Sequence, residues 1–181
     1  LSDEISTRGY TSIAICLLNA YANPVHEKNL EAWIRGRFPN LGITCSSDIT
    51  REFREFERAS TVTIAAYIQP IADAYVTRFA EKLSDQGFRG HFSIMQSNGG
   101  RLPATGAAGN AITSLFSGPA AGVTGAVHQA GLAGFDNIIT LDMGGTSTDV
   151  CVVTDGRPDL SSETKVDGLP ILTPALDIVT V

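Results

Sequence analysis

The stretch LDMGGTSTDV, residues 141–150, constrains the fold of this chain more than any other segment. An apolar run at 138–141 ends at Asp142, and a second apolar run at 150–153 follows Asp149. Two glycines and three hydroxyl residues lie between the two acids. Glycine at a reversal between two apolar runs is typical of two strands joined by a tight turn. The sequence therefore predicts a β-hairpin centred on the glycines.

The residue types in this turn suit a phosphate group and a divalent cation. Gly144 and Gly145 leave backbone N–H groups accessible to an anion, and the hydroxyls that follow add further donors. A carboxylate at the end of a strand, such as Asp142, holds a divalent cation against nucleotide phosphates, usually through water. Spacing alone leaves a second interpretation open, in which the segment is an ordinary hairpin with a glycine turn and surface acids.

Composition excludes several functional classes. The formal net charge of −6, without a compensating basic cluster, argues against a nucleic-acid surface. No apolar run reaches the ~18 residues of a bilayer span, so no membrane association is predicted. Cys16, Cys45 and Cys151 form no CxxC pair, which predicts neither a zinc site nor disulfides and suits a cytoplasmic protein. The 181 residues suffice for one domain or pieces of two, and a start at Leu1 without methionine suggests a part of a longer protein.

Strand-like and helix-like patterns alternate along the chain. Residues 12–18 form an apolar run of strand length. Apolar residues at three- and four-residue steps predict a helix over 64–83, which Pro70 should kink or divide. Residues 111–116 are strand-like, and a helical pattern covers 119–131. The alternation predicts an α/β fold with a mostly parallel sheet, plus the antiparallel hairpin.

Two further glycine-bearing segments follow strand-like runs, at 97–100 (SNGG) and 117–122 (SGPAAG). Because ligands of open α/β sheets bind at the carboxyl ends of strands, three such loops strengthen the expectation of a phosphate ligand. In the second segment, Ser117 is expected to cap a helix whose N-terminus carries partial positive charge. Gly118 and Gly122 allow a ligand or another backbone to approach closely, and tight helix packing explains them equally well.

The three glycine motifs in this order, MQSNGG, SGPAAG and DMGGTSTD, resemble the hydantoinase A/oxoprolinase family. CLLNAYANP at 16–24, FREFER at 53–58 and PALDIVT at 174–180 are similar to that family as well, so the resemblance covers essentially the whole chain. Members couple ATP hydrolysis to the opening of a cyclic amide such as 5-oxoproline or a hydantoin, and relatives are ATP-dependent carboxylases of ketones. The resemblance implies an actin-like, ribonuclease H-like ATPase fold in which two lobes close on a nucleotide.

The resemblance also implies roles for individual residues. Asp142 would be the Mg²⁺-linked acid of the second phosphate hairpin, and Asp149 would anchor the turn or orient water. The implied cofactors are ATP and Mg²⁺, and the implied catalytic residues are these two acids. The implied nucleotide-binding residues are Ser117, Gly118, Gly122, Gly144, Gly145, Thr146, Ser147 and Thr148.

By the same resemblance, residues 1–118 are the C-terminal part of a first lobe, 119–134 a connecting helix, and 135–181 the opening hairpins of a second lobe. The earlier Asp-x-Gly-Gly-Thr hairpin of the family is not in this chain. Because phosphoryl transfer needs groups from both sides of the nucleotide, we expect the chain alone to be inactive. The implied partner is a hydantoinase B-type subunit or domain. The alternatives are a subunit of a ketone carboxylase, a non-enzymatic nucleotide-sensing or assembly module, and a structural domain without a ligand.

Overall fold

The computed structural model describes residues 2–104 and 109–181. The helices in these residues are α1 Ser2–Arg8, α2 Val25–Arg37, α3 Ser46–Ile49, α4 Glu55–Asp85 and α5 Ser117–Leu132, with a 3₁₀ helix at Ala111–Ser114. The strands are β1 Ser12–Ile15, β2 Gly42–Cys45, β3 Ser93–Met95, β4 Arg101–Pro103, β5 Ile138–Met143, β6 Thr148–Thr154, β7 Arg157–Pro158, β8 Leu160–Ser161, β9 Thr164–Val166, β10 Leu169–Ile171, β11 Ala175–Leu176 and β12 Ile178–Thr180.

Contacts divide the described residues into two compact units. Residues 2–89, 109–112 and 165–173 form the first unit, and residues 90–104, 113–164 and 174–181 form the second. The assignment of residues 1–118, 119–134 and 135–181 to two lobes and a connecting helix stays a prediction.

The first unit is built on a parallel strand pair. β1 and β2 pair from Ser12↔Gly42 to Ile15↔Cys45, and α2 lies between them in the chain, because parallel neighbours need a long crossover connection. The buried core around this pair consists of Ile5, Ile15, Ile34, Leu41 and Cys45. A second cluster joins α4 to the segments at 109–112 and 165–173 through Ala65, Ile112 and Ile171.

Helix α4 extends over 31 residues and contains Pro70 in its interior. Of the two outcomes predicted for Pro70, a division of the helix is therefore wrong. Proline removes one backbone donor, and the helix nevertheless continues through it to Asp85. None of the described helices, α4 included, combines the length and the apolar character needed to cross a membrane.

The second unit centres on a four-stranded sheet. Its order is β12-β6-β5, with β7 also paired to β6. Helix α5 packs on one face, where Ala120 and Val123 of the helix meet Cys151 and Val153 of β6. Side chains alternate between the faces of a strand, so Asp149, two residues before Cys151, belongs to the face that α5 covers. The sheet and α5 together position every residue of the site described below.

The predicted α/β class and the antiparallel hairpin are confirmed, and the prediction of a mostly parallel sheet needs correction. β1–β2 pair in parallel, whereas β3–β4, β5–β6, β6–β7, β6–β12 and β8–β11 pair antiparallel. For β5–β6 and β6–β7 the physical reason is the length of the connection, because turns of four and two residues can join only antiparallel neighbours. The strand predicted over 111–116 is also wrong, since Ala111–Ser114 is a 3₁₀ helix.

Candidate functional site

Strands β5 and β6 form the hairpin that the sequence predicts. Asp142 lies directly opposite Asp149 in their antiparallel ladder. The turn between them covers residues 144–147, and the Gly144 N–H donates a hydrogen bond to the Ser147 carbonyl with an N···O distance of 2.9 Å. Direct partners in a ladder point to the same face of the sheet. The two carboxylates therefore stand side by side, next to the turn.

The backbone conformation does not require the glycines of this turn. In the Asp-Gly turn after β6, Asp155 and Gly156 have φ values of 51° and 70°, and such positive φ angles favour glycine. Neither Gly144 nor Gly145 has a positive φ. A Cβ added to Gly145 would meet no atom within 4 Å. What the glycine provides at this position is therefore an open backbone surface rather than a special conformation.

Strand β12 adds Thr180 to the site, a residue that the sequence reasoning missed. β12 pairs with β6 so that Thr180 lies opposite Asp149. The Thr180 hydroxyl donates a hydrogen bond to Oδ1 of Asp149 at 2.6 Å. The sequence marks the segment PALDIVT only as a motif, and nothing local in it specifies this register. Asp149 thus stands between Asp142 and Thr180 in one row across three strands.

Helix α5 contributes a glycine to the same end of the sheet. A Cβ added to Gly122 would lie 3.8 Å from Oδ2 of Asp142. A cleft of about 410 Å³ runs between the helix and β5, which is a size typical of small-molecule sites. Its lining residues are Pro119, Gly122, Val123, Ala126, the five consecutive residues 138–142 of β5, and Asp149. Gly122, Asp142 and Asp149 are thus brought together, and Gly144, Gly145, Thr146, Ser147 and Thr148 lie at or beside the turn.

The predicted role of Ser117 as a helix cap is wrong. α5 begins at Ser117, the residue before it is Phe116, and no side chain caps this end. Phe116, at the capping position, donates its own N–H to the hydroxyl of Ser97 at 3.0 Å. Ser117 is therefore part of the first turn of the helix, where its own hydroxyl is past the capping position. Neither Ser117 nor Gly118 is among the residues that line the cleft.

The loop at 97–100 lies on the other flank of α5. A Cβ added to Gly99 would meet the Thr124 hydroxyl at 3.2 Å. Thr124 and Gly122 are two residues apart, which separates them by about 200° around a helix. Buried Ser97 ties this loop into the fold, because its N–H donates to Thr113 and its carbonyl accepts from Leu176. Of the three predicted glycine elements, the hairpin turn and the start of α5 therefore lie together. The loop at 97–100 packs elsewhere on the helix.

The oxygen donors at this end of the sheet fit Mg²⁺. The Asp142 side chain is exposed and accepts no hydrogen bond from the described residues, whereas Asp149 is held by Thr180. Two carboxylates placed directly opposite each other repel, and a cation between them would relieve the repulsion. Mg²⁺ in nucleotide sites is bound by one or two carboxylates together with water and phosphate oxygens. These residues fit such an ion, and the role of Asp142 as its ligand stays a prediction.

A second acidic cluster, in the first unit, is neutralised within the chain. Ligand atoms of Glu31, Cys45 and Asp48 all lie within 4.8 Å of one another. The Lys28 ammonium contacts both carboxylates, at 2.9 Å from Glu31 and in a short hydrogen bond to Asp48. Partial burial alone lowers the pKa of Lys28, but these hydrogen bonds outweigh it and raise that pKa above its ordinary range. The cluster is therefore an ion-pair network around a lysine.

Comparison with known proteins finds relatives over nearly the whole chain. The chain is 34% identical over 177 residues to 5-oxoprolinase 1 of Arabidopsis thaliana, covering 96% of this chain and 14% of that protein. It is 30% identical over 169 residues to caprolactamase subunit alpha of Pseudomonas jessenii, covering 93% of this chain and 24% of the relative. The chain thus spans about a quarter or less of the length of these relatives.

Two solved structures share the fold. The crystal structure of the ATP-dependent caprolactamase from Pseudomonas jessenii matches with a TM-score of 0.89 and 29% identity, over 99% of this chain and 26% of that one. The nucleotide-free structure of acetone carboxylase matches with a TM-score of 0.83 and 23% identity over the same shares. The predicted fold class is thereby confirmed. The family model described as hydantoinase/oxoprolinase matches residues 58–181, and the chain belongs to that family.

Proposed function

We propose that residues 142–149 form a phosphate-binding element of an ATP site, and that the whole protein carrying this chain hydrolyses a cyclic amide at the expense of ATP. The observation that carries the proposal is the turn itself. Gly145 needs no special backbone conformation and has no neighbour within 4 Å of an added Cβ. Such a glycine leaves its backbone open to a ligand, and Gly145, unlike Gly125, lies in the turn beside the paired acids Asp142 and Asp149. An ordinary hairpin gives no such reason for it.

In this proposal the chain's residues bind and orient the nucleotide. The N–H groups and hydroxyls of residues 144–148 bind phosphate oxygens, and Gly122 leaves room for the nucleotide beside Asp142. Asp142 holds Mg²⁺, which neutralises charge on the phosphates when it is bound. Asp149 anchors the end of the turn and orients water. In this reaction, phosphoryl transfer from ATP to the amide oxygen releases ADP and makes the ring carbon reactive towards water. A first water molecule adds and the ring C–N bond breaks, which leaves an acyl phosphate, and a second water molecule hydrolyses this to the carboxylate and inorganic phosphate.

The proposed substrate class follows from the named relatives. One is a 5-oxoprolinase and another is an ATP-dependent caprolactamase, and each of these names denotes a cyclic amide. Assays of the whole protein with 5-oxoproline, a hydantoin, caprolactam and acetone compare ring opening with ketone carboxylation. ATP hydrolysis that a cyclic amide stimulates supports the proposal. ATP hydrolysis that acetone with bicarbonate stimulates, and that none of the cyclic amides stimulates, contradicts it.

The remaining assignments belong to the same proposal. Residues 1–118 belong to a first lobe, 119–134 connect the lobes, and 135–181 open the second lobe. One relative is named as a subunit alpha, which supports a partner subunit, and we assign that partner to the hydantoinase B type. The three free cysteines suit a cytoplasmic protein. The 181 residues alone are expected to show no ATP-dependent turnover, because they contain no second Asp-x-Gly-Gly-Thr motif for the opposite side of the nucleotide.

Asp142→Asn in the whole protein tests the proposed function. Loss of the Mg²⁺-linked carboxylate should lower ATP turnover by about 100-fold or more, since charge stabilisation by the metal is worth several kcal/mol and 1.36 kcal/mol is tenfold. Asp155→Asn is the matched control. Asp155 is an exposed acid at the other end of β6, and asparagine tolerates its positive φ of 51°. Equal turnover of the Asp142 variant and the control, with both folded, would refute the assignment.

A further inference from the structure

We infer that Thr180 is a positioning residue for Asp149, and that it separates the tasks of the two facing carboxylates. This inference rests on the proposed function and adds a residue to it. The observation behind it is the row of Thr180, Asp149 and Asp142 across strands β12, β6 and β5. Asp149 has a hydroxyl donor on one side and a second carboxylate on the other.

The hydrogen bond fixes the orientation of the Asp149 carboxylate. Its Oδ1 accepts from the Thr180 hydroxyl at 2.6 Å, the length of a charge-assisted O–H···O bond. Oδ1 is thereby held on the β12 side, and Oδ2 is left for the side of β5. Asp149 also lines the cleft beside β5. Oδ2 of Asp149 is therefore the oxygen that is free to act on the side of the cleft and β5.

The position of Thr180 is itself held by the backbone. The neighbouring residue Val181 exchanges two hydrogen bonds with Thr148, at 2.8 and 2.9 Å. A β-branched side chain has few χ1 rotamers open to it in a strand. The Thr180 hydroxyl is therefore directed towards Asp149 before any ligand binds. Asp149 directly follows residues 144–148, the proposed phosphate-binding residues.

Without the Thr180 hydroxyl, repulsion from Asp142 would decide where the Asp149 carboxylate turns. Like charges directly opposite each other destabilise a ladder, and Asp149 has no other hydrogen-bond donor among the described residues. The carboxylate would then rotate away from Asp142 and take its free oxygen out of the cleft. With Thr180 present, Asp142 is free to hold the metal ion and Asp149 is kept in place for a separate task.

Thr180→Val and Thr180→Ser in the whole protein test this inference. Valine keeps the shape and the β-branch and removes the hydroxyl, whereas serine keeps the hydroxyl. Thr180 is exposed, so neither change leaves a buried polar group without a partner. The valine variant should lose about tenfold in kcat, which matches one hydrogen bond to a charged group, and its KM for ATP should stay within about twofold. Serine should restore most of the turnover. Unchanged kcat in the valine variant, or an equal loss in both variants, would overturn the inference.

A double-mutant cycle with Asp149→Asn separates positioning from a general effect on the sheet. When Asp149 is already replaced, Thr180→Val should lower kcat little further, because its target is gone. A full tenfold loss in that background would show that Thr180 acts through something else. The proposed function fails separately, since it predicts loss of turnover in Asp142→Asn. If that loss is seen and Thr180→Val equals wild type, the Thr180 inference alone fails.

Discussion

Gly122 of helix α5 faces Asp142 of strand β5 so closely that one added methyl group would reach the carboxylate. The distance from an ideal Cβ on Gly122 to Oδ2 of Asp142 is 3.8 Å, which is ordinary van der Waals contact. The chain itself therefore tolerates alanine at this position. What alanine would occupy is the space between the helix and the carboxylate, at the cleft that we assign to the nucleotide.

Gly122→Ala should weaken Mg-ATP binding while the protein becomes no less stable. In a helix interior, alanine is more favourable than glycine by roughly 1 kcal/mol, whereas a methyl group beside Asp142 excludes ligand atoms. We expect calorimetry to find at least a fivefold higher Kd for Mg-ATP, which is a loss of binding free energy on the order of 1 kcal/mol. Gly125→Ala in the same helix is the control, because its Cβ meets nothing within 4 Å and Gly125 does not line the cleft. Equal Kd values for the two variants would remove Gly122 from the site.

Gly145→Ala should separate binding from folding in the turn. The position has no positive φ and open space around it, so alanine should change the free energy of unfolding by less than about 1 kcal/mol. Nucleotide affinity should fall at least tenfold, because a Cβ covers the backbone that faces the phosphate. Gly156→Ala is the opposite case, since its φ of 70° makes alanine costly and no ligand is assigned there. It should lower the melting temperature and leave Kd unchanged, and a reversed pattern would contradict our interpretation of the turn.

The hairpin could be predicted from sequence because its signals are local. The apolar runs, the acids and the glycines all lie within residues 138–153, and a two-stranded ladder needs no distant information. Thr180 could not be predicted in the same way. It joins Asp149 from 31 residues further along the chain, through a strand register that the sequence does not specify.

The wrong predictions come from an element boundary and from distant packing. Ser117 has the residue type of a helix cap, but α5 already begins at Ser117, so its hydroxyl is past the capping position. Residues 111–116 have strand-like composition, yet the backbone forms a 3₁₀ helix, and Ile112 is buried in a cluster with Ala65 and Ile171. Tertiary packing overrides local propensity at such short apolar segments.

Glu27→Gln should loosen the carboxyl edge of the β1–β2 pair. The fully buried Glu27 accepts hydrogen bonds from the Leu17 N–H, the Ser46 hydroxyl and the Ser47 N–H. These donors engage both carboxylate oxygens, so the amide group of glutamine would place an N–H against another donor. The expected cost is about 1–3 kcal/mol at neutral pH. Faster hydrogen exchange at the Leu17 and Ser47 N–H groups would show this loss of stability. Glu81→Gln, at an exposed helical position, is the control.

The same carboxylate makes a prediction about pH. Burial alone raises the pKa of Glu27, but the hydrogen bonds from Ser46, Ser47 and Leu17 outweigh it and leave this pKa below its ordinary value of 4.5. A carboxyl group whose pKa is lower in the folded protein than in the unfolded chain stabilises the folded state at pH values above its ordinary pKa. That contribution is lost as the pH falls through the folded-state pKa. The difference in the free energy of unfolding between wild type and Glu27→Gln should therefore become smaller as the pH falls below 4.5. A difference that is constant over this pH range would contradict the lowered pKa.

Cys45 should resist thiol reagents in the folded protein. Burial, with a further contribution from the negative charge of Glu31, raises the pKa of the Cys45 thiol to about 12. Burial and the charges of Asp177 and Asp159 also raise the pKa of Cys151. At pH 8 only about one Cys45 thiol in ten thousand is then ionised, and the thiolate is the reactive form. Peptide mass spectrometry after iodoacetamide treatment should find Cys16, the less buried cysteine, modified first. Early modification of Cys45 would show that this pKa is wrong.

We propose above that the hairpin at residues 142–149 binds the phosphates of ATP. A crystal structure of the whole protein with Mg²⁺ and a non-hydrolysable ATP analogue measures this directly. We predict phosphate oxygens within hydrogen-bond distance, about 2.7–3.2 Å, of N–H groups in residues 144–148, with Mg²⁺ linked to Asp142 directly or through water. A nucleotide bound elsewhere, with this turn free of phosphate and Asp142 free of metal, would contradict the claim.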